Sequence, residues 1–275
     1  MTQIGLSSPD FIRAITSEWT GERFPDGRPR VSDSIVERMK KVTIEEAWGT
    51  ILGKGYTHQF SGQWMKLHPE MTLVGRAVTG MFVPARPDLQ NVIQGQGKAQ
   101  SCTGGQNSWV IDTLEIDDVI VIDLFGKIKD GTFAGDNLGN SIYAKTKTGM
   151  VIEGGIRDQQ RMEEIPMPCY IRGVDPTAIR DVTLLGINIP VRIGTEATCI
   201  PGDIVLGTIE GIVFVPPHLA EQVVVESEET RLRDEWGHKM LRDGKYLPGQ
   251  VDGEWTPQMD AEYAEFRDKR LAEGL

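Results

Sequence analysis

The residues best suited to chemistry lie in one stretch, GDNLGNSIYAKTKTGMVIEGGIRD at 135–158. Gly135-Asp136-Asn137-Leu138 stands where a loop becomes a helix. The amides of Asn137 and Leu138 are then first-turn donors, open to a carboxylate. At the other end an apolar strand, MVIEGGI, runs through two glycines into Arg157 and Asp158. That is the carboxyl end of a strand, where α/β sheets place ligands. Asp158 can hold a hard cation, and Arg157 can pair with a carboxylate or an enolate oxygen. The same residues also admit a plainer reading, with Asp136 as a helix cap and Arg157-Asp158 as an ion pair beside a turn.

The elements that must position them read as α/β. Short Val- and Ile-rich runs closed by Gly, Pro or Asp (LVGRAVTGMFV, DDVIVIDLF, GMVIEGGI, CYIRGV, IPVRIG and DIVLGTIEGIVFVPP) predict strands covered on both faces. Glu210-Gly211 predicts a hairpin turn in the last. The helical pattern of NLGNSIYAKTK falls between strands. Three zones follow: an N-terminal helical extension over 1–43, an α/β domain over 44–217 and a C-terminal helical extension over 218–275. Ser32 and Ser34 are candidate caps for the second N-terminal helix.

Composition narrows the function. The 275 residues carry a net charge of −11, of which −6 falls on 218–275. A pI near 4.9 argues against nucleic acid as a partner. No run reaches the length of a membrane span, and MTQIGLSSPDF lacks a charged-then-apolar pattern, so a cytoplasmic protein away from membranes is expected. Cys102, Cys169 and Cys199 are too few and too far apart for a disulfide framework, and the four histidines show no metal-ligand spacing. There is no phosphate-binding glycine loop and no nucleophile elbow.

In order along the chain come EEAWG (45–49), LVGRAVT (73–79), DDVIVID (117–123), AGDNLG (134–139), VIEGGIRD (151–158), INIPV (187–191) and PGDIVLGTIEGIVFVPP (201–217). This ordered set resembles the RraA-like family. Its members include class II 4-hydroxy-4-methyl-2-oxoglutarate/4-carboxy-4-hydroxy-2-oxoadipate aldolases and proteins labelled regulator of ribonuclease activity A. The resemblance implies a swivelling β/β/α domain, assembled as homotrimers or homohexamers with sites between subunits. It implies Mg²⁺ or Mn²⁺ on Asp158, Arg157 on a pyruvyl unit, and Asp136 orienting water on the metal. Gly135, Asn137 and Leu138 would surround the substrate carboxylate. A neighbouring subunit would add Glu46 and an acid at Asp234 or Glu235. The sequence departs from the family pattern at Glu153-Gly154, at Thr208-Ile209-Glu210-Gly211 and at Asn137, which leaves the substrate tail open.

The implied function is a metal-dependent lyase that cleaves a 4-hydroxy-2-oxo acid to pyruvate and a carbonyl product, with oxaloacetate decarboxylation as a side activity. The alternative is a non-catalytic RraA-like regulator that binds a protein partner. A Schiff-base aldolase using Lys127, Lys129, Lys145 or Lys147 is a weaker rival, because surface lysines are usually solvated. His58, His68 and Trp64 could line the pocket or serve as ordinary loop and core residues. The charge supports the metal reading, since clustered carboxylates repel an anionic keto acid unless a divalent cation stands between them.

Overall fold

A computed structural model describes residues 4–273. The helices are α1 (Pro9–Ile15), α2 (Asp33–Met39), α3 (Ile44–Leu52), α4 (Pro87–Ala99), α5 (Gln106–Asp112), α6 (Asp136–Thr146), α7 (Gln159–Met162), α8 (Ala220–Arg242), α9 (Pro248–Val251) and α10 (Pro257–Ala272). The strands are β1 (Phe60–Ser61), β2 (Met65–Leu67), β3 (Leu73–Pro84), β4 (Asp118–Ala134), β5 (Met150–Ile156), β6 (Cys169–Val174), β7 (Val182–Ile187), β8 (Val191–Ile193), β9 (Ala197–Cys199), β10 (Ile204–Gly207) and β11 (Ile212–Val215). Ser8, Ser32, Thr43 and Thr256 cap α1, α2, α3 and α10, each accepting a first-turn amide. Ser34 instead sits inside α2, where its hydroxyl pairs with Ser32.

The main sheet runs β1-β11-β10-β3-β4-β5-β6-β2, with β7 also on β3. Its centre, β3 to β6, is parallel, and the flanking strands are antiparallel. Strand alternation gives the sheet two covered faces. On one face Val78, Ile120, Ile122, Met150 and Ile152 meet Ile93, Trp109 and Ile142 of the helices α4, α5 and α6. The same face continues over β10 and β11, where Leu206 and Val213 meet Val36, Ala47, Ile51 and Val224 of α2, α3 and α8. On the opposite face Ala77, Val119, Val121 and Val151 pack under the β8–β9 hairpin. The layers are therefore hairpin, sheet and helices, the β/β/α order implied by the resemblance. The expected turn joins β10 to β11, with Thr208 N bonded to Gly211 O at 2.9 Å.

The N-terminal segment is stitched into the sheet. Arg28 and Asp118, both fully buried, pair at 2.8 Å, and Asp26 holds Arg28 from the other side at 2.7 Å. Buried Arg76 donates to Val31 O at 2.8 Å. The C-terminal helices have a core of their own, in which Trp236 lies 4.5 Å from Trp255 and also packs on Tyr263. Pro248 opens the short α9, since Pro suits the first helical position.

Strand β4 makes one departure that matters for the site. After Asp123 pairs with Glu153, β4 bulges in three steps, touching the ladder at Lys127 opposite Gly154 and at Thr132 opposite Gly155 before Ala134 pairs with Ile156. Phe125 and Asp130 take positive φ within this excursion. Gly154 and Gly155 leave room for it: a Cβ on Gly154 would lie 3.0 Å from Lys127 O, and one on Gly155 would lie 3.3 Å from Ile128 Cα.

Candidate active site

Strand β5 is buried along its whole length and ends beside the last residue of β4. The next amide, Arg157 N, donates to Ala134 O at 3.0 Å, which fixes the end of β5 against the start of α6. Asp158 then takes a left-handed backbone (φ 56°, ψ 38°) and opens α7. Asp tolerates that region because its short side chain can bond locally. The turn lays its carboxylate over Gly135. A Cβ on Gly135 would stand 2.3 Å from Asp158 Oδ2 and 3.0 Å from both Cγ and Nε of Arg157. With φ at −121°, Gly135 is required by this close approach and not by its backbone.

Arg157 Nε lies 3.4 Å from Asp158 Oδ2, and the two side chains are 44% and 38% exposed. Asp136, the first residue of α6, accepts from Arg161 Nη1 at 3.1 Å and from Asn137 N at 2.9 Å. The Arg161 bond, aided by the Asn137 amide and by the nearby charge of Arg157, holds the Asp136 carboxyl below the usual carboxylate range. The expected pair of open amides is therefore reduced to one. Asn137 N closes on Asp136 Oδ1, and only Leu138 N lacks an acceptor among the described residues. Arg161 is a site residue that the motifs do not reveal. Its signal is spacing: it falls three residues past Asp158, about one helical turn.

The chain thus brings together Gly135, Asp136, Asn137, Leu138, Arg157 and Asp158. Glu46, Asp234 and Glu235 make no bond to them within one chain. Glu46 completes a capping box on α3 with Thr43 and accepts from Ser227 Oγ at 2.6 Å. Both of its accepted bonds fall on Oε2, so Oε1 has no partner among the described residues. Glu235 on α8 is 3.1 Å from Arg270. Asp234 beside it is exposed and makes no ion pair among the described residues. Trp64 lies under the Arg172 guanidinium at 3.6 Å and donates to Ser61 O, a packing role. His58 and His68 bond to the near neighbours Thr57 and Glu70. Lys127 donates to Arg180 O and Lys145 to Asp112 O.

No three His, Cys, Asp or Glu side chains form a metal cage among the described residues. Asp158 and Asp136 offer hard oxygen donors only. That set suits a Mg²⁺-like ion, which binds through one or two carboxylates and keeps several waters. Among the described residues no helix is long and apolar enough to cross a membrane.

Comparison with known proteins agrees with this architecture. A Halalkalibacterium halodurans protein named "Putative 4-hydroxy-4-methyl-2-oxoglutarate aldolase" is 28% identical over 126 residues, 46% of this chain and 59% of that protein. The match thus spans about three fifths of that relative's length. The solved structure of an uncharacterized Pseudomonas syringae protein is 21% identical with a TM-score of 0.68, covering 84% of this chain and 98% of that one. Streptomyces coelicolor RraAS2, described as an unusual member of the RNase ES inhibitor RraA protein family, is 22% identical with a TM-score of 0.65, over 77% of this chain and 98% of that one. These likenesses establish the shared fold. The RraA-like family model, described as Aldolase/RraA, matches residues 30–214, well over half of the sequence, and the chain belongs to that family.

Proposed function

We propose that this protein is a divalent-metal-dependent lyase of the class II pyruvate aldolase type. It would cleave a 4-hydroxy-2-oxo acid to pyruvate and a carbonyl product, and would decarboxylate oxaloacetate as a side activity. The observation that carries this reading is the closure of Arg157 and Asp158 over Gly135 at the start of α6. The name of the Halalkalibacterium relative supports it.

Mg²⁺ or Mn²⁺ held by Asp158 would supply Lewis-acid polarisation of the substrate's keto oxygen. Arg157 pairs with the carboxylate or the developing enolate oxygen and offsets its charge as the C3–C4 bond breaks. The Leu138 amide, at the start of α6, donates to the substrate carboxylate. Asp136, kept ionised by Arg161, accepts the 4-hydroxyl proton through a water. The electron pair of the C–C bond passes to the pyruvyl fragment, and C3 is then protonated. A neighbouring copy in a homotrimer or homohexamer would add Glu46, through its unpartnered Oε1, and an acid from α8. Asp234 fits that role better than Glu235, because Arg270 already engages Glu235.

The test uses purified protein with 4-hydroxy-4-methyl-2-oxoglutarate and Mg²⁺ or Mn²⁺, with pyruvate release read by a coupled reductase. Asp158→Asn should lower kcat/KM by about 10²-fold or more. An equally active variant overturns the assignment. A wild type that releases no pyruvate and binds no Mg²⁺-dependent oxalate favours the regulator reading instead.

A further inference from the structure

Three strands along the sheet from β5, a cavity of about 410 Å³ lies between residues 15–18 and the segments that lead into β10 and out of β11. Its lining includes Glu18, Tyr56, Asp203, Pro216, Pro217 and His218, and contains neither lysine nor arginine. The Asp203 carboxyl is fully buried. Its Oδ2 accepts from Ile200 N at 2.8 Å, while Oδ1 has no hydrogen-bond partner among the described residues. Glu18 Oε2 lies 2.7 Å from His218 Nε2, and the Tyr56 hydroxyl is 3.3 Å from the same nitrogen. Residues 15–18 and His218 lie outside the family match.

We propose that this cavity is a second binding site, for a small organic cation bearing N–H donors: a primary ammonium or guanidinium group on a short apolar chain. A buried oxygen without a donor is costly, and a charged N–H group is the strongest remedy for it. Glu18, joined by Asp203 once that carboxyl ionises, meets no lysine or arginine in the lining, which favours a cation over an anion. The proline rings and the Tyr56 face suit an alkyl stem and a cation over an aromatic ring. The volume lies within the ordinary range for small-ligand sites.

Burial, opposed only by the Ile200 amide, pushes the Asp203 carboxyl up to about 8, so the empty site holds it neutral at pH 7. The titratable groups around it are Cys199, Tyr56, Glu18 and His218. A bound cation favours its ionised form, so binding at pH 7 releases a proton.

Calorimetry on the full chain tests the site with n-butylammonium and n-butylguanidinium, against n-butyramide and n-butyrate as neutral and anionic controls. The cations should saturate the site and bind at least about tenfold more tightly than either control. The heat should change between phosphate and Tris buffers in proportion to the released proton. Asp203→Asn should weaken cation binding by about tenfold, and Glu18→Gln, on an exposed side chain, by about threefold. The proposal is overturned if the cations bind no more tightly than butyramide, or if both variants bind them as the wild type does. Pyruvate release is a separate readout, so this outcome and the lyase assignment stand or fall apart.

Discussion

Asp203 makes folding stability a function of pH in a calculable way. Its carboxyl has an ordinary pKa of 3.8 and, when buried in the fold with one amide donor, is pushed up to about 8. The folded chain therefore holds a proton there that the unfolded chain has released. The associated stability is fully present below pH 3.8, falls as pH rises, and is gone above about pH 8. Between those limits the slope is about 1.4 kcal/mol per pH unit, so pH 5 to 8 spans about 4 kcal/mol at most. Asp203→Asn removes the titration and leaves an oxygen for the Ile200 amide. Its new amide donor adds an offset that does not vary with pH. Urea unfolding of both proteins at pH 5, 6.5 and 8 isolates the effect, because every other titrating group cancels in the difference. The variant should gain about 3–4 kcal/mol on the wild type across that range. A difference constant to within about 0.5 kcal/mol would refute the claim that Asp203 is buried with one oxygen unpartnered.

Two further outcomes follow from named contacts. Arg28→Met leaves Asp118 buried without its guanidinium and should cost about 3–5 kcal/mol in urea unfolding. Replacing Asp118 by Leu in that background should recover much of the loss, and no recovery would show that the pair is not the cause. Gly135→Ala places a methyl 2.3 Å from Asp158 Oδ2, the free end of a side chain. The side chain can swing aside, so Tm should change little, while Mn²⁺ affinity falls and kcat/KM drops by about 10²-fold. Retained affinity and turnover in that variant would place the working position of Asp158 elsewhere.

The pieces of the site that were legible in the sequence share one physical origin. Within one strand–helix–strand unit, β4-α6-β5, Gly135 and Asp136 follow the carboxyl end of β4, and Arg157 and Asp158 follow that of β5. Parallel pairing of β4 and β5 through Ile120↔Met150 and Ile122↔Ile152 sets both ends at one edge of the sheet. Once the strands and the intervening helix are read, the meeting of the ends follows from topology. The fate of the Asn137 amide was not legible, because an unpaired first-turn donor can be met by a ligand or by the preceding side chain. Here Asp136 Oδ1 meets it at 2.9 Å.

Long-range pairings escape a sequence reading for a different reason. Arg28 finds Asp118 across ninety positions, and any of the chain's 40 acids could have served as its partner. The choice is made by burial. Asp118 faces Arg76 in the β3–β4 register, but the Arg76 guanidinium is already engaged by Val31 O and Asp33, so the buried carboxylate needs a second cation. The loop ERFPDGRPR is rich in Pro, Gly and charge, the composition of an exposed linker. Yet it delivers Arg28 there, with the guanidinium 4.6 Å from the Phe24 ring centroid and Asp26 on its Nε. The N-terminal segment is therefore held by electrostatics as much as by apolar contact. Because the same segment leads to residues 15–18, this anchorage also fixes one wall of the Asp203 cavity.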